Sequence, residues 1–82
     1  MMVHIKVFPS VGLCDETQKL EVTLEEGSMS ELQTLLQKRL GITLQKMESL
    51  MFLHNGRALD KYKDIVFRDG DELWLLPLLS GG

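Results

Sequence analysis

Apolar and polar residues alternate along Val3-His4-Ile5-Lys6-Val7, and again along Leu20-Glu21-Val22-Thr23-Leu24. A period of two predicts strands with one buried face each. Pro9 has no amide proton and is expected to end ladder pairing after the first strand. Ser10 to Gln18 contain Gly12 and several polar groups and read as a loop. The two strands then form a hairpin whose connection is longer than the favoured short turns.

The period changes after residue 28. Met29, Leu32, Leu35, Leu36 and Leu40 fall on one face of a helix. Ser28 and Glu31 have the S-x-x-E capping-box spacing, in which each side chain satisfies an orphan amide of the first turn. Lys38 and Arg39 sit in the last turn, where the helix dipole favours cations. Gly41 suits the left-handed closing position. The spacing predicts a helix over 29–40.

Residues 42–49 fit neither period and have room for one helical turn. Leu50–His54 reads as a strand rich in apolar groups, Asn55-Gly56 as a tight turn, and Arg57-Ala58-Leu59 as a short return strand. A mixed connector covers 60–68. Asp69-Gly70-Asp71 is a second turn, with aspartates favouring its backbone geometry. Glu72–Leu76 is the last strand, and Pro77 ends it. The elements form a single domain over residues 1–82, of α+β class: a mixed sheet with one main helix packed across it. The order fits the β-grasp arrangement of ubiquitin-like domains, in which the first and last strands lie side by side; that adjacency is drawn by analogy.

One helix covers one face of such a sheet. The other face is solvated or meets a partner. Trp74 alternates with Leu73 and Leu75, so leucines pointing inward put Trp74 on the open face. There it serves as a partner contact or covers the edge of a small core.

Composition removes several classes. Lys and Arg number 9 against 12 Asp and Glu, a net charge of −3, with no basic block suited to nucleic acid. Cys14 is the single cysteine, so a disulfide scaffold is excluded. No histidine shares its segment, which leaves a nucleophilic role unsupported. His4 and His54 with Cys14 are too few for a four-ligand zinc site, and both histidines read as surface or edge residues of strands. Asp69, Asp71 and Glu72 offer fewer oxygens than calcium demands. Arg57, Lys61, Lys63 and Arg68 form a modest basic patch, with a solvated face as the default. The longest strongly apolar run, Leu73–Leu79, falls far short of the ~20 residues of a membrane span. Met1 to Lys6 lack the charged-then-apolar pattern of a signal peptide. The expected setting is the reducing cytoplasm.

The chain ends Leu75-Leu76-Pro77-Leu78-Leu79-Ser80-Gly81-Gly82. Leucines are unexpected at a chain end, where disorder is usual. Leu78 and Leu79 either fold back onto the core or dock on another protein. Gly81 and Gly82, without Cβ atoms, can pass through a channel too narrow for side chains. The Gly82 carboxylate is then a handle on a thin, flexible tail over 78–82. It becomes an acyl donor once ATP converts its oxygen into a good leaving group, and a sulfur nucleophile can then take the acyl group.

Asn55-Gly56-Arg57, Asp69-Gly70-Asp71-Glu72-Leu73 and Leu76-Pro77-Leu78-Leu79-Ser80-Gly81-Gly82 resemble the carboxy-terminal half of the MoaD/ThiS-type sulfur carriers, and the similarity in element order covers essentially the whole chain. Within that family the chain looks most like the small subunit of molybdopterin synthase, whose members have a long first hairpin loop. It departs from that pattern in Leu78, where a second proline is common, and in Val7-Phe8-Pro9, where an aromatic-aromatic-small ending is usual. The resemblance implies that a ubiquitin-activating-type enzyme adenylates Gly82 with ATP and magnesium. Sulfur transfer then gives a thiocarboxylate, and a synthase partner subunit accepts the sulfur in cofactor biosynthesis, molybdopterin being favoured. The chain is then a co-substrate or small subunit rather than an enzyme, and binds no cofactor itself. Gly82 is the reacting group. Gly81, Ser80, Leu79, Leu78, Pro77, Leu76 and Trp74 are the expected tail and partner contacts. The alternatives are a thiamine-pathway carrier, a ubiquitin-like modifier forming isopeptide bonds, and a β-grasp interaction domain with an inert tail.

Overall fold

Five strands form one mixed sheet. They are β1 (Met2–Val7), β2 (Gln18–Thr23), β3 (Leu50–His54), β4 (Arg57–Leu59) and β5 (Glu72–Pro77), and two helices, α1 (Met29–Leu40) and α2 (Leu44–Glu48), lie between β2 and β3 in the chain. The computed structural model describes residues 1–60 and 65–78. The sheet order is β2-β1-β5-β3-β4. β1 and β5 run parallel, with Val7 opposite Leu75, while the other pairs are antiparallel. The first and last strands therefore lie side by side at the centre, as the element order led us to expect of a β-grasp sheet.

Strand alternation divides the sheet cleanly. Val3, Ile5, Val7, Val22, Leu50, Phe52, Leu73 and Leu75 point inward and are buried, and Met29, Leu32 and Leu36 of α1 close over them. The ends of α1 are those predicted. The Ser28 hydroxyl accepts from the Glu31 amide at 3.1 Å. Gly41, at φ +67°, closes the helix by donating to the Gln37 carbonyl.

Glu31 departs from the capping-box expectation. Its carboxylate accepts the amides of Glu25, Glu26 and Gly27, at 2.7, 2.9 and 2.9 Å, instead of reaching back to Ser28. Gly27 at φ +75° bends the preceding loop so that these amides converge on one anion. The bond from Glu25, with those from its two neighbours, holds the Glu31 carboxyl below the usual range. A side chain at Gly27 would meet the Phe67 carbonyl at 2.8 Å, and the Phe67 amide donates to the Gly27 carbonyl at 2.7 Å. This ties the connector before β5 to the start of α1. Phe67 itself is fully buried.

The first hairpin connection opens with a 3-10 turn over Pro9–Val11 that buries Val11. The ambiguous stretch after α1 holds α2, capped by Thr43, whose hydroxyl accepts from the Lys46 amide at 3.0 Å. The Asn55-Gly56 turn has positive φ at both residues, 51° and 86°, as a type I′ hairpin requires.

The two turns at one end of the sheet are joined. Asp71 accepts from the Arg68 amide, from the Asn55 side-chain amide and from His54 Nε2, at 2.9, 3.1 and 2.7 Å. The Asn55 side-chain oxygen in turn accepts the Glu72 amide at 2.8 Å. Burial opposes the Asp71 charge, but the Arg68 amide, His54 and Asn55 together outweigh it and hold the carboxyl below its usual range. Facing an ionised carboxylate, His54 Nε2 is the donor. His54 thus differs from the expected surface or edge residue: it follows Leu50 and Phe52 on the inward face of β3 and stacks edge-on against Phe67, with centroids 5.0 Å apart.

Candidate functional site

β5 carries the chain across the centre of the sheet toward its carboxy terminus. Antiparallel pairing with β3 matches Leu50 with Pro77, Met51 with Leu76 and Leu53 with Trp74. Pro77 is tolerated because bonded and non-bonded pairs alternate. The Leu78 amide donates to the Ser49 carbonyl at 2.8 Å, so the missing donor of Pro77 points to the side where β1 has already ended. Ser49 is itself fixed at the end of α2, its hydroxyl donating to the Lys46 carbonyl at 2.6 Å. The backbone is therefore held through residue 78, where the tail was expected to begin. The Leu78 side chain is 54% exposed and has not folded back onto the core. Leu79, Ser80, Gly81 and Gly82 lie outside the described residues.

Leu73 and Leu75 are buried and Trp74 is 37% exposed on the open face, as its alternation indicated. Trp74 meets the Phe8 ring edge-on, with centroids 5.4 Å apart and planes at 67°. The Lys6 ammonium lies 5.0 Å from the Trp74 ring and 5.2 Å from that of Phe8. Leu76 is half-buried on the same face, and strand alternation places Leu78 there as well. The structure thus brings Trp74, Leu76 and Leu78 together, while Pro77 sits half-buried on the opposite phase of the strand.

Three members of this apolar surface were not singled out in the sequence: Phe8, Met51 and Leu53, all half-buried. A signal existed for two of them. Leu50-Met51-Phe52-Leu53 is apolar without interruption, and a strand apolar at every position presents apolar groups on both faces. The helix covers one face, so the other is left for something else.

Of the remaining candidates, only His4 borders this surface, across a groove that it lines together with Trp74. The Cys14 sulfur packs by the end of β1, 3.8 Å from the Val7 carbonyl. His4 lies on the open face near Glu21, Nδ1 to carboxylate 3.4 Å. Arg57 and Arg68 are exposed, and Lys61 and Lys63 lie outside the described residues. Among the described residues no three His, Cys, Asp or Glu side chains cluster as metal ligands. No helix there is long and apolar enough to cross a membrane.

Comparison with known proteins gives concordant findings. The chain is 34% identical over 82 residues to the molybdopterin synthase sulfur carrier subunit of Drosophila yakuba, covering 98% of this chain and 90% of that protein. With the same coverage it is 39% identical to the subunit of that name from Drosophila erecta. Among solved structures, a chain of the complex of subunits 1 and 2 of the molybdopterin-converting factor from Helicobacter pylori superposes with a TM-score of 0.66 at 24% identity. SAMP1 from Haloferax volcanii superposes with a TM-score of 0.73 at 18% identity. Both cover 100% of this chain and of their own, and they establish the shared fold. No family model matches the chain.

Proposed function

The chain belongs to the family of molybdopterin synthase sulfur carrier subunits, and from that premise we propose that its Gly82 carboxylate is the atom group that carries sulfur. The role is that of a carrier, a co-substrate of other proteins rather than a catalyst. In the proposed cycle an adenylating enzyme of the ubiquitin-activating type joins the carboxylate to AMP from ATP with magnesium, releasing pyrophosphate. Sulfide-level sulfur, as hydrosulfide, then displaces AMP and leaves a terminal thiocarboxylate. A synthase subunit passes the sulfur to the molybdopterin precursor, and water supplies the oxygen that restores the carboxylate. This cycle is assigned to the cytoplasm, where ATP is available and a thiocarboxylate escapes oxidation.

The observation that supports this reading best is the near full-length match to carrier subunits at 33–39% identity. The surface around the tail gives it a physical basis. Trp74, Leu76 and Leu78 form one apolar face with Phe8, Met51 and Leu53, and the backbone is anchored to Ser49 immediately before the last four residues. A partner that covers this face binds the globule next to Leu78, the residue that immediately precedes Leu79-Ser80-Gly81-Gly82 in the chain. Aromatic and large apolar groups are the usual anchors of such contacts.

Appending one residue after Gly82 tests the assignment. The reading expects a protein with unchanged unfolding behaviour that no longer supports molybdopterin formation with the cognate activating enzyme and synthase subunit. Full support by the extended protein, without removal of the added residue, contradicts it.

A further inference from the structure

Lys6 and Lys19 stand directly opposite each other in the β1–β2 register, on the open face of the sheet. Like charges in that position destabilise a sheet. Among the described residues neither lysine forms an ion pair, and the carboxylate of Glu21, one row along β2, is turned toward His4. Lys6 is half-buried, with its ammonium drawn over the Trp74 and Phe8 rings at 5.0 and 5.2 Å. The cation is therefore fixed at the border between two surfaces. On one side lies the apolar face of Trp74, Leu53 and Leu76. On the other lies an open groove of about 710 Å³ lined by His4, Lys6, Lys19, Glu21, Glu72 and Trp74, among others, with both glutamates in the row of His4 and both lysines in the next.

We propose that this groove receives an acidic segment of the protein that docks on the carrier, with one Asp or Glu carboxylate placed between Lys6 and Lys19. The charge pattern and its neighbourhood select this occupant. An anion offsets the like charge of two lysines paired in register. A polypeptide also covers Trp74 and Leu53 beside them, which a free small anion leaves in water. The aromatic rings hold the Lys6 ammonium ready, so little side-chain entropy is lost when the carboxylate arrives. Such a pair adds specificity and speeds encounter, beyond what the apolar contacts provide. The inference rests on the carrier reading for the identity of the docking protein, the cognate synthase subunit.

The test measures the Kd of the full chain for that subunit at low and high salt, for wild type, Lys6→Met and Lys6→Glu. Methionine keeps an apolar stem on the rings and removes the charge. The expected result is binding by wild type that weakens with salt, about tenfold weaker binding by Lys6→Met with a shallower salt dependence, and still weaker binding by Lys6→Glu. The unfolding temperature of Lys6→Met should stay close to that of wild type, because loss of the ammonium's contact with the two rings is offset by removal of one of two opposed cations; a purely structural lysine would lower it. Lys6→Met that binds as tightly as wild type with the same salt dependence overturns the inference and leaves the carrier reading standing. Absence of wild-type binding overturns both.

Discussion

The amide of Leu78 donates to the carbonyl of Ser49, far back in the chain, through a hydrogen bond of 2.8 Å. It extends the β3–β5 pairing one step past Pro77. This position is where related carriers commonly have a second proline, which has no amide to donate. Leu78→Pro should therefore remove one ladder bond at the end of the sheet, at a cost of about 0.5–1.5 kcal/mol. Denaturant unfolding of the variant checks this.

With the fold already held through Leu78, deletion of Gly81 and Gly82 should leave the unfolding midpoint unchanged while abolishing sulfur loading. Thermal unfolding and a loading assay on the same preparation check the two halves of that expectation. A large drop in the midpoint would make the terminal glycines part of the folded body.

The helix offers a graded comparison. Leu36 is fully buried, whereas the adjacent Leu35 is partly exposed at the margin of the core. Leu36→Ala should cost about 2–5 kcal/mol, and Leu35→Ala clearly less. Equal costs would contradict the orientation of α1 described above.

Asp71 makes stability depend on acid. Its carboxyl is held below the usual range in the folded protein, so its contribution is present above the unfolded value of about 3.9 and is lost as pH falls through the lower folded value. Asp71→Ala should cost about 1–3 kcal/mol near neutrality, since it strips partners from the His54 ring and the Arg68 amide. The gap between wild type and variant should narrow below about pH 4. Urea unfolding as a function of pH measures it.

Trp74 separates binding from folding. Its contact with Phe8 is an edge-on aromatic pair of the kind worth about 0.5–1.5 kcal/mol. Trp74→Ala should therefore unfold only slightly more easily than wild type. If Trp74 anchors the partner, its loss should weaken docking by about 2 kcal/mol or more, roughly thirtyfold. Calorimetric titration with the synthase subunit supplies the second number.

Much of this architecture was legible in the chain. Ser28 and Gly41 mark both ends of α1, Asn55-Gly56 marks the β3–β4 turn, and the alternation around Trp74 gives the faces of β5. The features that escaped depend on contacts between distant segments. His54 looked like an exposed polar residue because its partner Asp71 lies 17 positions away and meets it only across the sheet. Glu31 has the spacing of a reciprocal cap, yet the left-handed backbone at Gly27 offers its carboxylate three amides elsewhere. Phe67 is fully buried although its segment has no periodicity, since it is held by Gly27 rather than by a strand. Gln18 and Lys19 begin β2 without an apolar alternation because β2 is an edge strand whose first residues stay in water. The chemistry proposed for the terminal diglycine rests on residue type alone, because what it requires is the lack of side chains.

The most direct test is the intact mass of the full chain after incubation with its activating enzyme, ATP, magnesium and a sulfur donor. The account predicts a gain equal to the replacement of one oxygen by one sulfur, located at Gly82 by fragmentation. An unchanged mass alongside an activating enzyme shown to form the adenylate, or sulfur found on Cys14 instead, would contradict it.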